Sequence, residues 1–142
     1  MDRIYMFYKM ERYFYKIKLE VISILIRALI RIIFSCDIPY KANIGKGTSF
    51  PHDGLGIVIH PNAIVGENCK VLHGVTIGGR SGHEEVPVIG DNVTIGTHAV
   101  LLGPIKVGNN ATIAAGAVVI NDVPDNCVVA GVPAKIIKGI TN

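Results

Sequence analysis

Hydrophobic side chains recur at six-residue intervals along most of this 142-residue chain. An α-helix would show a period of 3.6 residues and a half-buried strand a period of 2, so neither accounts for the pattern. A hexapeptide period is typical of a parallel β-helix, in which each repeat is one short strand plus one turn. The predicted inner column consists of Ile38, Ile44, Phe50, Ile59, Val65, Val71, Ile77, Ile89, Ile95, Leu101, Val107, Ile113 and Val119.

Small or β-branched side chains form a second column, four residues after most of these positions. Glycine directly follows many of them, and it takes turn conformations that a Cβ would oppose. Cys69 stands in this second column, so we expect it to be an ordinary core residue. The column consists of Ala42, Thr48, Ala63, Cys69, Val75, Val93, Ala99, Ala111 and Ala117.

Two segments interrupt the repeat and are predicted to leave the stack as loops. Residues 51–56 add three residues between Phe50 and Ile59, whereas residues 78–87 keep the phase but contain two glycines, charged residues and a proline. Departures from a solenoid repeat map to loops on one face, often the binding face. We therefore expect function to be concentrated at these two loops.

The N-terminal segment, residues 1–36, is predicted to contain one amphipathic helix over residues 10–34. Its apolar run over residues 21–34 is interrupted by two arginines and is too short to cross a bilayer. No small-residue cleavage site follows it, so it is not a cleaved signal. Residues at spacings of three and four form one polar stripe: Arg12, Lys16, Glu20, Ser23, Arg27 and Arg31.

Two interpretations of this helix stay open. It packs on the end of the β-helix or between subunits, or residues 12–31 lie on the inner surface of the membrane. The second interpretation would place four aromatic side chains near the lipid headgroups: Tyr5, Tyr8, Tyr13 and Tyr15.

Charge and cysteine content narrow the function classes. Residues 1–36 hold seven basic and three acidic side chains, and the remainder holds seven and eight, so the repeat region is nearly neutral and no nucleic-acid partner is expected. Cys36, Cys69 and Cys127 lie far apart without a C-x-x-C pair, which argues against a zinc site and a disulfide framework and favours the cytoplasm. The five histidines share no spacing with cysteines or carboxylates that would make a metal site, so no metal is expected.

The hexapeptides, with VTIGG at residues 75–79 and VVAGVPAKIIKG at residues 128–139, resemble the left-handed β-helix acyltransferases. Among these, the resemblance is strongest to serine acetyltransferases and the related short sugar O-acetyltransferases, and it covers roughly residues 37–139. It implies an all-β fold, a left-handed parallel β-helix preceded by an N-terminal amphipathic α-helix. The β-helix would span residues 37–127, and residues 128–142 would fold back on the coils. Acetyl-CoA would be the acyl donor, and a homotrimer would form the active sites between neighbours.

His52 and Asp37 are the candidate catalytic pair. A hydroxyl is a weak nucleophile that needs a base, and imidazole is the side chain whose ordinary pKa lies nearest neutrality. In the resembling family an Asp at the start of the repeat orients the ring of a His fifteen residues later, which is the spacing of Asp37 and His52. The alternative is that Asp37 caps a turn and His52 is an ordinary loop residue. His60 is then the reserve base, while His73 and His98 are expected at solvated turns or a subunit contact.

The resemblance also implies positions for both substrates. The pantetheine arm of acetyl-CoA would lie against Gly79, Thr97 and Ala115, with the nucleotide near Pro133 and Lys135 of the VPAK stretch. The acceptor would meet the second loop, through Arg80, Ser81 and His83.

Two departures from the serine acetyltransferase pattern concern the acceptor. Pro51 replaces the carboxylate expected directly before the catalytic His, and Glu85–Val86 replace an expected Arg–His pair. Without the Arg, serine's carboxylate has no bidentate partner. The sequence therefore favours an acetyl-CoA-dependent O-acetyltransferase that modifies a sugar or polysaccharide precursor. The alternatives are the serine O-acetyltransferase of cysteine biosynthesis and a non-catalytic trimeric β-helix scaffold.

Overall fold

The hexapeptide repeat forms a parallel β-helix in the computed structural model, which describes residues 2–139. All strands but the last two are short, because a turn follows every two or three extended residues. The strands are β1 Asn43–Ile44, β2 Val58–Ile59, β3 Ile64–Val65, β4 Lys70–Val71, β5 Thr76–Gly78, β6 Val88–Ile89, β7 Thr94–Ile95, β8 Val100–Leu102, β9 Lys106–Val107, β10 Thr112–Ile113, β11 Val118–Val119, β12 Cys127–Gly131 and β13 Ala134–Gly139.

The strands stack into three sheets, which form the three sides of the β-helix, a triangular prism. Face A contains β2, β5, β8 and β11, face B contains β1, β3, β6 and β9, and face C contains β4, β7, β10, β12 and β13. A regular coil advances 18 residues, as from Thr94 to its partner Thr112. Asn43 instead pairs with Ile64, 21 residues later, because the first loop adds three residues as predicted. The second loop then lengthens the coil from Ile64 to Val88.

Both predicted columns form the core. All thirteen positions of the hydrophobic column and all nine of the small-residue column are buried, Cys69 among them. Burying one large aliphatic side chain contributes about 1.5–3 kcal/mol, so the stacked column is the main source of stability. The turn glycines permit the close stacking of coils, since a Cβ on Gly45 would come 2.5 Å from the Gly66 carbonyl carbon.

The prediction of one helix over residues 10–34 is wrong. Two helices are present, α1 Arg3–Lys16 and α2 Glu20–Phe34, and they pack against each other. The chain reverses between them at Lys18, whose φ of 63° lies in the left-handed region. A continuous apolar composition hid this break, because neither Gly nor Pro marks it.

Helix α1 covers the open end of the β-helix. The Tyr8 hydroxyl donates to the Ala42 carbonyl at 2.8 Å and accepts from the Ile44 amide at 3.1 Å. The Asp2 carboxylate accepts from the Tyr5 amide, which caps α1, and from the Phe50 amide in the first coil. The interpretation of packing on the end of the β-helix is therefore confirmed for α1. The expectation of Tyr8 near lipid headgroups is wrong, because this ring is buried.

Three members of the polar stripe, Arg12, Ser23 and Arg27, are turned toward the protein, whereas Lys16, Glu20 and Arg31 are exposed. Arg12 donates to the Tyr40 and Ala42 carbonyls, and the Ser23 hydroxyl donates to the Glu11 carbonyl at 2.6 Å. Within residues 2–139, no helix is both long and apolar enough to span a membrane. The outward face of α2 is apolar, with exposed Val21, Ile24, Leu25, Leu29, Ile32 and Ile33.

The C-terminal segment reverses later than predicted. Val128 and Val129 pair in parallel with Thr112 and Ile113, so β12 continues face C as one more layer. Only β13 runs back, antiparallel to β12. The expected fold-back over residues 128–142 therefore applies from residue 134 to residue 139, and residues 140–142 lie outside the described part.

Candidate active site

Three histidines lie in one column at the corner between faces C and A. We call this corner, formed by residues 51–57, 72–75, 96–99 and 114–117, the histidine corner. The His52 and His73 ring centroids are 5.2 Å apart, and those of His73 and His98 are 5.4 Å apart, each pair nearly perpendicular. The sequence did not predict that His73 lies beside His52. The sequence signal was the shared offset, since His52 and His73 each stand two residues after a position of the hydrophobic column, Phe50 and Val71.

His52 is held in a strained turn. It lies in a 3-10 turn, Pro51–Gly54, in which His52 and Asp53 have φ values of 58° and 54°. Left-handed backbone costs a non-glycine residue roughly 1–2 kcal/mol, and such strain concentrates at functional sites. Arg3 and Asp53 form an exposed ion pair of 2.7 Å beside this turn. The His52 side chain is left exposed at the histidine corner.

His73 supports the His52 ring from below. Its own ring is half-buried, and its Nδ1 atom is buried without a hydrogen-bond partner among the residues described. An unpartnered buried polar atom costs about 1–3 kcal/mol, so its retention calls for an explanation. The His73 ring packs edge-on against the exposed His52 ring.

Asp37 does not make the expected hydrogen bond. Its Oδ1 accepts a hydrogen bond from Nε of Arg27 at 2.8 Å and forms an ion pair of 2.8 Å with Nη2 of the same side chain. Within residues 2–139, no hydrogen bond joins Asp37 to His52. Arg31 lies one turn further along α2, and its Nη1 is 3.7 Å from Oδ2. The two arginines reach the same carboxylate because residues four apart lie on one helix face.

A cleft of about 270 Å³ opens beside this carboxylate, between the end of α2 and face A. We call it the α2 cleft; it is lined by Arg31, Ser35, Cys36, Asp37, Ile57 and Val58. Burial, with the nearby Asp37 and Glu11 carboxyl groups, raises the pKa of the Cys36 thiol to about 12. This thiol therefore stays protonated at neutral pH and is not a nucleophile.

Glu11 is buried between the two helices. Both of its carboxylate oxygens lack a hydrogen-bond partner within residues 2–139. Its pKa is raised to about 8, mainly by burial and to a smaller extent by the nearby Asp37 carboxylate, against the lowering effect of Arg27. Glu11 is consequently mostly protonated at neutral pH, and it adds little negative charge beside the α2 cleft.

The structure separates the residues that the resemblance assigns to acetyl-CoA. Thr97 and Ala115 follow the paired Ile95 and Ile113 by two residues, so they continue the column of His52 and His73. Gly79 instead follows the other end of β5, where a Cβ would meet open space. Pro133 and Lys135 lie on the β12–β13 hairpin, beyond the last layer of face C.

Of the predicted loop at residues 78–87, Gly78 ends β5 and residues 79–87 form no strand. Arg80, Ser81 and His83 are exposed there, at the corner between faces A and B, and a single chain does not bring them to His52. His60 lies at the same corner, and its Nδ1 accepts from the Asn62 amide at 3.1 Å. This bond gives His60 a structural role within its turn.

Comparison with known proteins agrees with this architecture. The bacterial transferase hexapeptide (six repeats) family model matches residues 87–121. The serine acetyltransferase of Buchnera aphidicola subsp. Schizaphis graminum is 39% identical over 138 residues, which are 95% of this chain and 52% of the relative.

Two crystal structures are similarly close. Serine acetyltransferase from Brucella abortus strain S19, in complex with coenzyme A, has a TM-score of 0.89 at 37% identity, covering 96% of this chain and 55% of that one. The Neisseria gonorrhoeae serine acetyltransferase in complex with serine has a TM-score of 0.86 at 37% identity, covering 93% and 54%. The chain thus spans about half the length of the relatives it matches.

This likeness in sequence and backbone confirms the predicted fold class, a left-handed parallel β-helix preceded by helical structure. The departures at Pro51 and at Glu85–Val86 lie in the two loops and leave the coils unchanged. Across 95% of its length the chain is thus similar to the hexapeptide-repeat region, with its preceding helices, of the serine acetyltransferases, a group of left-handed β-helix acyltransferases.

Proposed function

We propose that this chain is an acetyl-CoA-dependent O-acetyltransferase with His52 as its general base. The proposal depends on the column at the histidine corner. The exposed imidazole of His52 lies in the same column of stacked turn positions as Thr97 and Ala115. His52 and two of the assigned acyl-donor residues, Thr97 and Ala115, thus share one edge of the prism. The related Brucella abortus structure was solved in complex with coenzyme A, which supports the choice of donor.

The proposed reaction is a direct transfer. The His52 imidazole takes the proton of the acceptor hydroxyl as its oxygen attacks the thioester carbonyl carbon. The carbon–sulfur bond then breaks, and the departing thiolate regains the proton from the imidazolium. An acetyl-enzyme on Cys36 or Cys69 is disfavoured, because both side chains are buried and burial raises the pKa of both thiols.

L-serine is the first candidate acceptor. The relatives reported above are serine acetyltransferases, and the Neisseria gonorrhoeae structure was solved in complex with serine. They favour the serine alternative over the sugar that the sequence suggested. A carbohydrate hydroxyl remains the second candidate, on the grounds of Pro51 and Glu85–Val86.

A thiol-release assay tests this function. With acetyl-CoA, we expect L-serine to reach a kcat/KM of at least about 10⁴ M⁻¹s⁻¹, the low end for an enzyme on its own substrate. A panel of neutral sugars and glycans is measured beside it. Higher values for a sugar would return the assignment to the second candidate. No thiol release with any hydroxyl acceptor would favour the non-catalytic scaffold.

We further propose a homotrimer with active sites between neighbours. Support comes from apolar side chains at outward positions of faces A and B, where Val58, Ile64 and Val88 are exposed. Sedimentation equilibrium at micromolar concentration is expected to give three times the chain mass. Val88→Glu should weaken the assembly more than Lys106→Glu at the neighbouring outward position. A stable monomer would contradict the proposal.

For location, we propose a cytoplasmic enzyme that contacts anionic lipid reversibly through the α1–α2 hairpin. The outward face of α2 supplies the apolar surface. Lys9, Lys16 and Lys18 are exposed and form no ion pair within residues 2–139, so they supply the positive charge in place of the inward arginines.

Binding to anionic vesicles is expected to weaken as salt rises, because exposed charges are screened. The double substitution Leu25→Ser and Ile32→Ser should abolish it while α1 still covers the β-helix. Deleting residues 1–34 is unsuitable, since it would remove that cover. Unchanged vesicle binding in the double variant would exclude lipid contact through α2.

A further inference from the structure

The α2 cleft carries an unneutralised positive charge. Arg27 is the close partner of Asp37, with two nitrogens at 2.8 Å from Oδ1. Arg31 stands further away at 3.7 Å, and 62% of its side chain is exposed. Two guanidinium groups thus meet one carboxylate, and Glu11 behind them is mostly protonated. The donors of Arg31 are available to a second anion.

The cleft borders the segment that carries the proposed base. The Ser35 carbonyl accepts from the Gly56 amide at 2.9 Å, and the Asp37 amide donates to the Ile57 carbonyl at 2.8 Å. The Cys36 sulfur would lie 3.5 Å from a Cβ on Gly54. Residues 35–37 therefore pack directly on the chain that follows His52, so a small molecule in the cleft has the His52 turn as its neighbour.

We propose that Arg31 binds a carboxylate of the acceptor, which makes the acceptor class a hydroxyl compound with an acid group. This inference rests on the proposed acetyl transfer. A planar guanidinium presents paired donors that match a carboxylate, and an ammonium group does not. The resemblance places an arginine for the acceptor carboxylate at the position of Glu85–Val86. Arg31 of α2 would take over that role here. An α-amino acid such as L-serine and a sugar acid share this chemistry.

Binding is measured directly, so that the result does not depend on turnover. Calorimetric titration of the full chain uses two acids, L-serine and D-glucuronate. Each is compared with a counterpart that lacks the carboxylate, L-serinamide and D-glucose respectively. We expect at least one acid to bind more tightly than its counterpart. Arg31→Gln should weaken that acid by about 10- to 100-fold, the usual effect of losing a charged hydrogen bond, and leave the counterpart unchanged. The acid that responds identifies the source.

Two further variants control the experiment. Arg31→Lys keeps the positive charge but lacks the paired donors of the guanidinium group, so it should recover only part of the affinity. Lys46→Gln removes an exposed charge at another corner and should change nothing. Thermal unfolding of each variant establishes that it folds.

The outcomes separate this inference from the proposed function. Equal binding of acids and counterparts by the parent chain, or equal loss of both in a folded Arg31→Gln variant, would overturn the carboxylate assignment even if the chain turns over acetyl-CoA. Selective, Arg31-dependent binding without thiol release would uphold the assignment and contradict the acetyltransferase function instead.

Discussion

His52→Ala is expected to lower acetyl-CoA turnover by about 10²–10⁴-fold, the usual contribution of a general base. The affinity for acetyl-CoA should change little, because the imidazole meets the acceptor hydroxyl and not the donor. Steady-state kinetics with the preferred acceptor gives the first quantity, and equilibrium titration with coenzyme A gives the second.

His60→Ala is the matched control. Its ring accepts a hydrogen bond within its own turn, so we expect near-normal turnover. Asp37→Asn should cost less than His52→Ala, since its carboxylate is held by Arg27 and reaches the base only through the packing of the α2 cleft. Near-normal turnover in His52→Ala, with loss in His60→Ala, would transfer the base assignment to His60.

Glu11→Gln is expected to stabilise the protein at alkaline pH. Burial raises the pKa of Glu11 to about 8 from its ordinary value of 4.5, so the folded state holds a proton that the unfolded chain releases. Stability from this group is fully present below about pH 4.5, and it declines as pH rises to about 8. A shift of this size corresponds to roughly 3–5 kcal/mol, which the neutral amide should restore at pH 8–9.

Apparent Tm at one fixed protein concentration measures this effect, because assembly makes Tm depend on concentration. The difference between Glu11→Gln and the parent chain should widen from pH 5 to pH 9. The exposed Glu84→Gln is the control and should follow the parent at every pH. A difference that stays constant with pH would show that Glu11 is ionised in the folded state.

The β-helix was predictable from the sequence because its core depends on spacing alone. A side chain six residues further along occupies the equivalent position in the next strand, so one register explains Ile38 as well as Val119. Both loops were also predictable, because added residues and polar turn chemistry interrupt that spacing. The pairing of Asn43 with Ile64 carries the three extra residues of the first loop.

The helices were less predictable. Amphipathicity identifies two faces but not which one meets the protein. Here the backbone carbonyls of the first coil and the Asp37 carboxylate attract Arg12 and Arg27, so these two members of the polar stripe face inward. The reversal at Lys18 has no local signal, and it depends on the packing of α1 against the coil end.

The candidate site was also predictable only in part. The sequence by itself made His52 the candidate base, because it stands in a break of the repeat at the spacing from Asp37 that the resembling family shows. Only the tertiary structure decided its neighbours. Loop lengths shift the coils so that His73 lies under His52. The helix turn before Asp37 brings Arg27 and Arg31 to the same carboxylate. Such contacts join residues of different coils or elements, and their geometry follows from how those elements stack, which no local pattern records.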